Sequence, residues 1–171
     1  MTRKERNVLA LVPDWFNRRI TVNLENGVME VPVFSTIFGL KPGRCSAYVR
    51  KIASELFGLE YTQSDAWNRI YSDHLVARVN GFSDVQRMIE SHEMLPGMLM
   101  GVNLPNKDSF GLIDNHGETA LFRHVMIYLG RGRETGIPKF AHQEGKKTHV
   151  DSLDYLADEH YKPKAIIKVN Q

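Results

Sequence analysis

The chain has 171 residues, of which 42% are hydrophobic and 25% charged, and its net charge is +2. This length predicts one globular domain over residues 1-171, because two well-packed cores would not fit comfortably. The basic residues occur in short, separated clusters, whereas a nucleic-acid interface usually needs a concentrated basic face with stacking aromatics, so we expect no nucleic-acid partner. The only cysteine, Cys45, excludes an intramolecular disulfide.

The N-terminal segment, residues 1-40, predicts a divergent lead-in with a hairpin. Its apolar run from Val8 to Val12 is too short for the core of a secretory signal. We therefore expect synthesis in the cytoplasm without a signal peptide, with release or export to the cell wall left open. No stretch approaches the length of a transmembrane helix, so no stable membrane insertion is expected. Alternation from Ile20 to Val33 around Asn26-Gly27 predicts the hairpin.

The next predicted element is a helix from Cys45 to Phe57, followed by a capping glycine, Gly58. Apolar residues recur in it at helical spacing: Val49, Ile52 and Leu56. A thiol in the first turn faces unpaired backbone N–H groups and the positive end of the helix dipole. We therefore predict a lowered pKa for Cys45 and a role as nucleophile. A buried cysteine that fills space as a small apolar side chain is the alternative interpretation.

A second helix and a long connection are predicted before the chain reaches its next candidate residues. The apolar residues of this helix are Val85, Met88 and Ile89. Ser83 or Asp84 is the expected N-cap, and the helix should end before Pro96. The segment from Asn103 to Leu121 is rich in Gly, Asn, Asp and Pro, which predicts an exposed connection between strands.

Two strand-like segments follow, and each carries a histidine. The segment from Phe122 to Gly130 is largely apolar on both faces, with His124 at its start, and Lys139 to His142 follows after a loop. If the two strands pair antiparallel, His142 comes beside His124 and orients its ring, while His124 accepts the thiol proton. His149 is the alternative orienting residue. It follows a turn at Gly145 to Lys147, and Val150-Asp151 after it is expected to lead into a helix.

A metal site is not predicted. His116 lies on a turn and could approach His124, but no Cys or His pair has the spacing of a structural zinc site, and the motif His-Glu-x-x-His is missing. We expect neither a metal nor another cofactor.

Three motifs occur in a fixed order along the chain: Cys-Ser-x-x-Val-Arg from Cys45, His-Val-x-Ile-Tyr-Leu-Gly from His124, and Phe-Ala-His ending at His142. In this order they resemble the NlpC-type cell-wall endopeptidases, which are papain-like cysteine peptidases. The resemblance implies an α+β, papain-like domain in which the helix that bears the nucleophilic cysteine packs on an antiparallel β-sheet. It also implies that Cys45 is the nucleophile, that His124 is the base and that His142 orients the base.

The same resemblance implies a substrate and a role. A peptidoglycan stem peptide would be cleaved at an amide bond, with Ser46, Ser64 and Trp67 binding the substrate. A phage lysin or an antibacterial effector would use such a lytic activity. The oligomeric state is left open.

Two other functions remain open. Gln63 stands where the substrate loop of the family has an arginine. This change is compatible with a papain-like acyltransferase, deamidase or thioesterase that acts on an intracellular target. The other alternative is a non-catalytic interaction module in which Cys45 is only packed.

Overall fold

The computed structural model describes residues 18–33, 45–61, 75–113, 117–145 and 147–168. Within these ranges the protein is α+β, and this part of the predicted fold class is confirmed. The elements in chain order are β1 (Arg19–Leu24), β2 (Gly27–Pro32), α1 (Cys45–Phe57), β3 (Leu75–Arg78), α2 (Phe82–Glu90), β4 (Leu99–Asn103), β5 (His124–Arg131), β6 (Pro138–Glu144), β7 (Lys147–Ser152), α3 (Leu153–Asp158) and β8 (Lys162–Ile167).

The main sheet has six strands in the order β3-β8-β4-β5-β6-β7, and its neighbours pair antiparallel. The predicted hairpin is confirmed as β1 and β2, which pair antiparallel and meet at Leu24↔Gly27. Gly27 has φ +136°, a conformation that glycine adopts at little cost. A bridge between Leu24 and Gly132 connects the hairpin to the segment that follows β5.

Helices cover both faces of this sheet. Strand β5 is buried along nearly its whole length because its two faces are both apolar, as predicted from the sequence. On one face, Val125 and Ile127 belong to the same core as residues of α1. On the other face, Met126 and Tyr128 belong to a core with residues of α2 and α3. Side chains of successive β5 residues therefore pack on the sides of different helices.

The bounds predicted for the helix α1 are confirmed at both ends. It begins at Cys45 and ends at Phe57, and Gly58 follows with φ +64°, the left-handed conformation typical of a helix C-terminus. The buried residues of α1 form the stripe that faces the sheet: Cys45, Ser46, Tyr48, Val49, Ile52 and Ala53. Among the described residues, no helix is both long enough and apolar enough to cross a membrane.

The predicted cap of the second helix is wrong. Helix α2 begins after Gly81, whose φ of +117° only glycine adopts readily, and no side chain caps it. Asp84 lies inside the first turn, where its carboxylate accepts a hydrogen bond from the Asn80 N–H at 2.8 Å. The Asp84 carboxylate still supplies negative charge near the helix N-terminus, but it lies inside the first turn and not at the N-cap position.

The segment from His149 to Asp151 also differs from the prediction. We expected it to lead into a helix, but it belongs to β7, and α3 starts only at Leu153. Ser152 is the N-cap of α3 and accepts a hydrogen bond from the Tyr155 N–H at 3.2 Å. This correction places the side chain of Asp151 in the sheet beside β6.

Candidate active site

The thiol of Cys45 lies at the first residue of α1, where the helix meets the start of β5. Its side chain is buried, with 2% of the residue exposed. The thiol is hydrogen-bonded to the backbone of Val125, the residue that follows His124. The helix therefore places Cys45 one residue along the strand from the predicted base.

The predicted direction of the Cys45 pKa is wrong. Burial raises the pKa of the thiol from 9.0 to about 11. Backbone hydrogen bonds from Val125, Ser46 and Cys45 itself lower the pKa, as expected at a helix N-terminus, but desolvation outweighs them. The sequence indicated the helix terminus correctly and did not indicate how deeply α1 packs on the sheet.

The hydrogen bond to Val125 is possible because the pairing of β5 with β6 ends early. The Tyr128 N–H donates to Met98 next to β4, so the amides of β5 that alternate with it face β6. Val125 is one of these. The pairing of β5 with β6 reaches only as far as Ile127. The Val125 N–H therefore lies beyond the paired region, and Cys45 takes the place of a β6 carbonyl.

His124 and His142 are in direct contact, and both are almost completely buried. His124 Nε2 lies 2.9 Å from His142 Nδ1, and the two rings meet edge to face with centroids 5.0 Å apart. His142 Nε2 lies 2.8 Å from Asp151 Oδ2. The three side chains form one hydrogen-bonded series across β5, β6 and β7.

The carboxylate at one end of this series fixes the protons along it. With Asp151 as a carboxylate and His142 as a neutral imidazole, His142 donates from Nε2 to Asp151 and keeps a lone pair on Nδ1. His124 must then donate from its own Nε2 to His142. Its Nδ1 consequently carries the free lone pair, which is the form required of a general base.

Burial also changes the pKa of the base. Desolvation lowers the pKa of His124 well below 6.5, and the positive charge that His142 or His149 would carry when protonated lowers it further. The shift at His124 includes no contribution from Cys45, and the shift at Cys45 includes none from His124. At neutral pH the described site therefore holds a neutral thiol and a neutral imidazole rather than an ion pair.

The thiol and the histidines reach this end of β5 from opposite faces of the sheet. Cys45 shares a core with Val125 on the α1 side. His124 alternates with Val125 along the strand, and His142 alternates with Ala141, so the two rings lie on the α3 side. The thiol and the His124 ring thus flank the same end of β5 from its two faces, where the pairing of β5 with β6 has stopped.

His149, the alternative orienting residue, is positioned differently from His142. Its ring stacks on that of His142 with centroids 5.2 Å apart and an interplanar angle of 24°. The hydrogen bonds to His124 and to Asp151 are both made by His142. Burial, and the positive charge that His142 would carry when protonated, lower the pKa of His149, so this ring covers the series as a neutral group at neutral pH.

The predicted substrate-binding residues fall into two groups. Ser46 is buried beside Cys45, and its Oγ has no hydrogen-bond partner. Ser64 and Trp67 lie outside the described residues, as does His116, the residue considered for a metal. Within the described ranges, no group of three or more His, Cys, Asp or Glu side chains is arranged to hold a metal ion.

Asp151 is a candidate site residue that the sequence analysis missed. The alternation of Thr148 and Val150 with His149 and Asp151 is a strand signal that could have indicated it. Comparisons with protein-family models, curated proteins and solved structures give no match.

Proposed function

We propose that this protein is a cysteine hydrolase that cleaves an amide bond. Cys45 is the nucleophile, His124 is the general base, and His142 with Asp151 orients the base. The observation that carries this proposal is the hydrogen-bonded series from Asp151 through His142 to His124, which ends one residue from the backbone position that binds the thiol. Such a nucleophile, base and orienting group are the parts that covalent acyl transfer requires.

The reaction follows from the proton positions. His124 Nδ1 takes the thiol proton as Cys45 Sγ forms a bond to the substrate carbonyl carbon, and the carbonyl π electrons move to oxygen. When this intermediate collapses, the C–N bond breaks and His124 returns the proton to the leaving amine. Water then hydrolyses the thioester, again with His124 as the base. The Cys45 N–H at the helix N-terminus can donate to the oxyanion.

A neutral resting pair is compatible with this mechanism. Serine hydrolases begin from a neutral hydroxyl and a neutral histidine, and their histidine removes the proton during attack. A buried thiol with a raised pKa can react in the same way. In this protein the orienting series therefore matters more than in an enzyme that begins with a thiolate.

A peptidoglycan stem peptide is the substrate class that we propose, in a lytic role such as that of a phage lysin or an antibacterial effector. The proposal includes a papain-like fold. It is supported by the NlpC-type order of Cys45, His124 and His142 along the chain. It is also supported by the position of Cys45 at the start of a helix that packs on an antiparallel sheet.

One observation favours a second candidate function, a non-catalytic interaction module. Only 2% of Cys45 is exposed, and burial raises its pKa, as expected for a cysteine that merely fills space. This alternative gives no reason for the series of buried polar side chains that ends one residue from the backbone position that binds the thiol.

Digestion of purified peptidoglycan, followed by mass analysis of the fragments, tests the proposal. We expect new amine and carboxyl ends with the wild type and none with Cys45→Ala or His124→Asn. His92→Asn is the matched control, because His92 is exposed with φ +61°, a conformation that asparagine tolerates. Activity that persists in Cys45→Ala would exclude the mechanism. Cleavage of other amide or thioester substrates, with peptidoglycan left intact, would keep the chemistry and exclude the substrate.

A further inference from the structure

Gln143 is a buried side chain that the mechanism above does not use. It is completely buried, and neither Nε2 nor Oε1 has a hydrogen-bond partner. Among the described buried residues, it is the side chain with both of its polar atoms unpartnered. Buried amides are normally paired, so an unpaired one at a candidate active site needs a physical explanation.

The strand position of Gln143 puts it on the same face of the sheet as the thiol. It alternates with His142 along β6, so its side chain points to the α1 face while the histidine points to the other. Its cross-strand neighbour on this face is Thr148. Thr148 is hydrogen-bonded to Tyr48, which lies one turn of α1 beyond Cys45.

Gln143 also lies at the end of the sheet where Cys45 is bound. The pairing of β5 with β6 stops at Ile127↔Ala141. Two residues further along each strand come Val125, whose backbone binds the thiol, and Gln143. The unpaired amide and the backbone that binds the thiol therefore both lie beyond the last paired residues of β5 and β6.

We propose that Gln143 is a catalytic residue, whose side-chain amide donates a hydrogen bond to the oxyanion formed when Cys45 attacks. This role rests on the hydrolase function proposed above. It explains why the amide is unpaired in the resting protein, because its partner forms only during the reaction. The Cys45 N–H and Gln143 Nε2 would then hold the oxygen from the helix and from the sheet.

The test compares Gln143→Met and Gln143→Leu with the wild type, using p-nitrophenyl acetate as acyl donor. Gln86→Met is the matched control, because Gln86 lies on α2 and is hydrogen-bonded to Glu90. We expect kcat to fall about 100- to 1,000-fold in both Gln143 variants, as for loss of one oxyanion donor, with KM within about threefold. Gln86→Met should match the wild type.

Two further measurements separate catalysis from structure. Alkylation of Cys45 by iodoacetamide forms no oxyanion, so its rate should be unchanged in the Gln143 variants. Because an unpaired buried amide is replaced by an apolar side chain, Gln143→Met should melt at or above the wild-type temperature. Wild-type turnover in the Gln143 variants, or a parallel loss of turnover, alkylation and melting temperature, would overturn the role. Absence of Cys45-dependent turnover in the wild type would instead overturn the hydrolase proposal.

Discussion

The reactivity of Cys45 toward iodoacetamide should depend steeply on pH. Burial raises the pKa of this thiol to about 11. Only the thiolate is alkylated, so its rate should rise about tenfold for each pH unit between 7 and 10, without a plateau. An ion pair with His124 would behave differently, since the thiolate would already be formed at pH 6 and the rate would change little above it.

The expected rate follows from the pKa of the thiol. A thiol with a pKa of about 11 has about a hundredfold less thiolate at pH 7 than one with a pKa of 9.0. Thiolate nucleophilicity rises with pKa, which recovers roughly six- to tenfold of this difference. Alkylation of Cys45 at pH 7 should therefore be at least about tenfold slower than that of an unhindered thiol, and its burial slows it further.

Stopped alkylation reactions, analysed by mass spectrometry of the intact protein, measure this rate directly. Glutathione in the same tube serves as the internal reference. The protein must remain folded at every pH of the assay, which circular dichroism can check. A rate that is constant from pH 6 to 8 and equal to or above that of glutathione would refute the reasoning from burial. It would also restore the lowered pKa of Cys45 that the helix terminus predicts.

Other predictions address the orienting series and the packing around it. Asp151→Asn should lower kcat by roughly a hundredfold or more with little change in KM, since the amide can impose the wrong tautomer on His142. Burial lowers the pKa of His124, so the unfolded chain binds the proton more tightly. The stability associated with neutral His124 is therefore fully present above pH 6.5. It is lost as the pH falls below 6.5, by at most about 1.4 kcal/mol per pH unit. When urea unfolding is measured at pH 7 and at pH 5, the free energy of unfolding should fall less between them in His124→Asn than in the wild type. Gly101→Ala should destabilise the fold by roughly 1–3 kcal/mol in the same assay. Its added Cβ would lie 2.4 Å from the Phe122 ring.

Local periodicity was sufficient to predict where the candidate nucleophile and base lie in their elements. The spacing of apolar residues gave the exact bounds of α1, and an apolar run gave a strand that begins at His124. The pKa of Cys45 could not be predicted in this way. It depends on how closely α1 packs on strands that lie far away in sequence, and desolvation there exceeds the effect of the helix terminus.

Asp151 was missed because its role depends on strand register. The pairing of β6 with β7 places His142 opposite His149 and Phe140 opposite Asp151, so the carboxylate reaches His142 diagonally. A register shift by one residue would turn Asp151 to the α1 face and leave His142 without its acceptor. Sequence alternation alone shows which residues share a face, but it does not show which residue lies opposite.

The desolvation that neutralises Cys45 and His124 also constrains how the proposed reaction can begin. A thiol pKa of about 11 and a histidine pKa below 6.5 make transfer of the proton unfavourable before any bond to carbon has formed. A separate ion-pair step would therefore add to the barrier of the reaction. Removing the proton during attack avoids this step, and it requires that His124 already present Nδ1 as the acceptor. The hydrogen bonds from Asp151 to His142 and from His142 to His124 hold the base in that form.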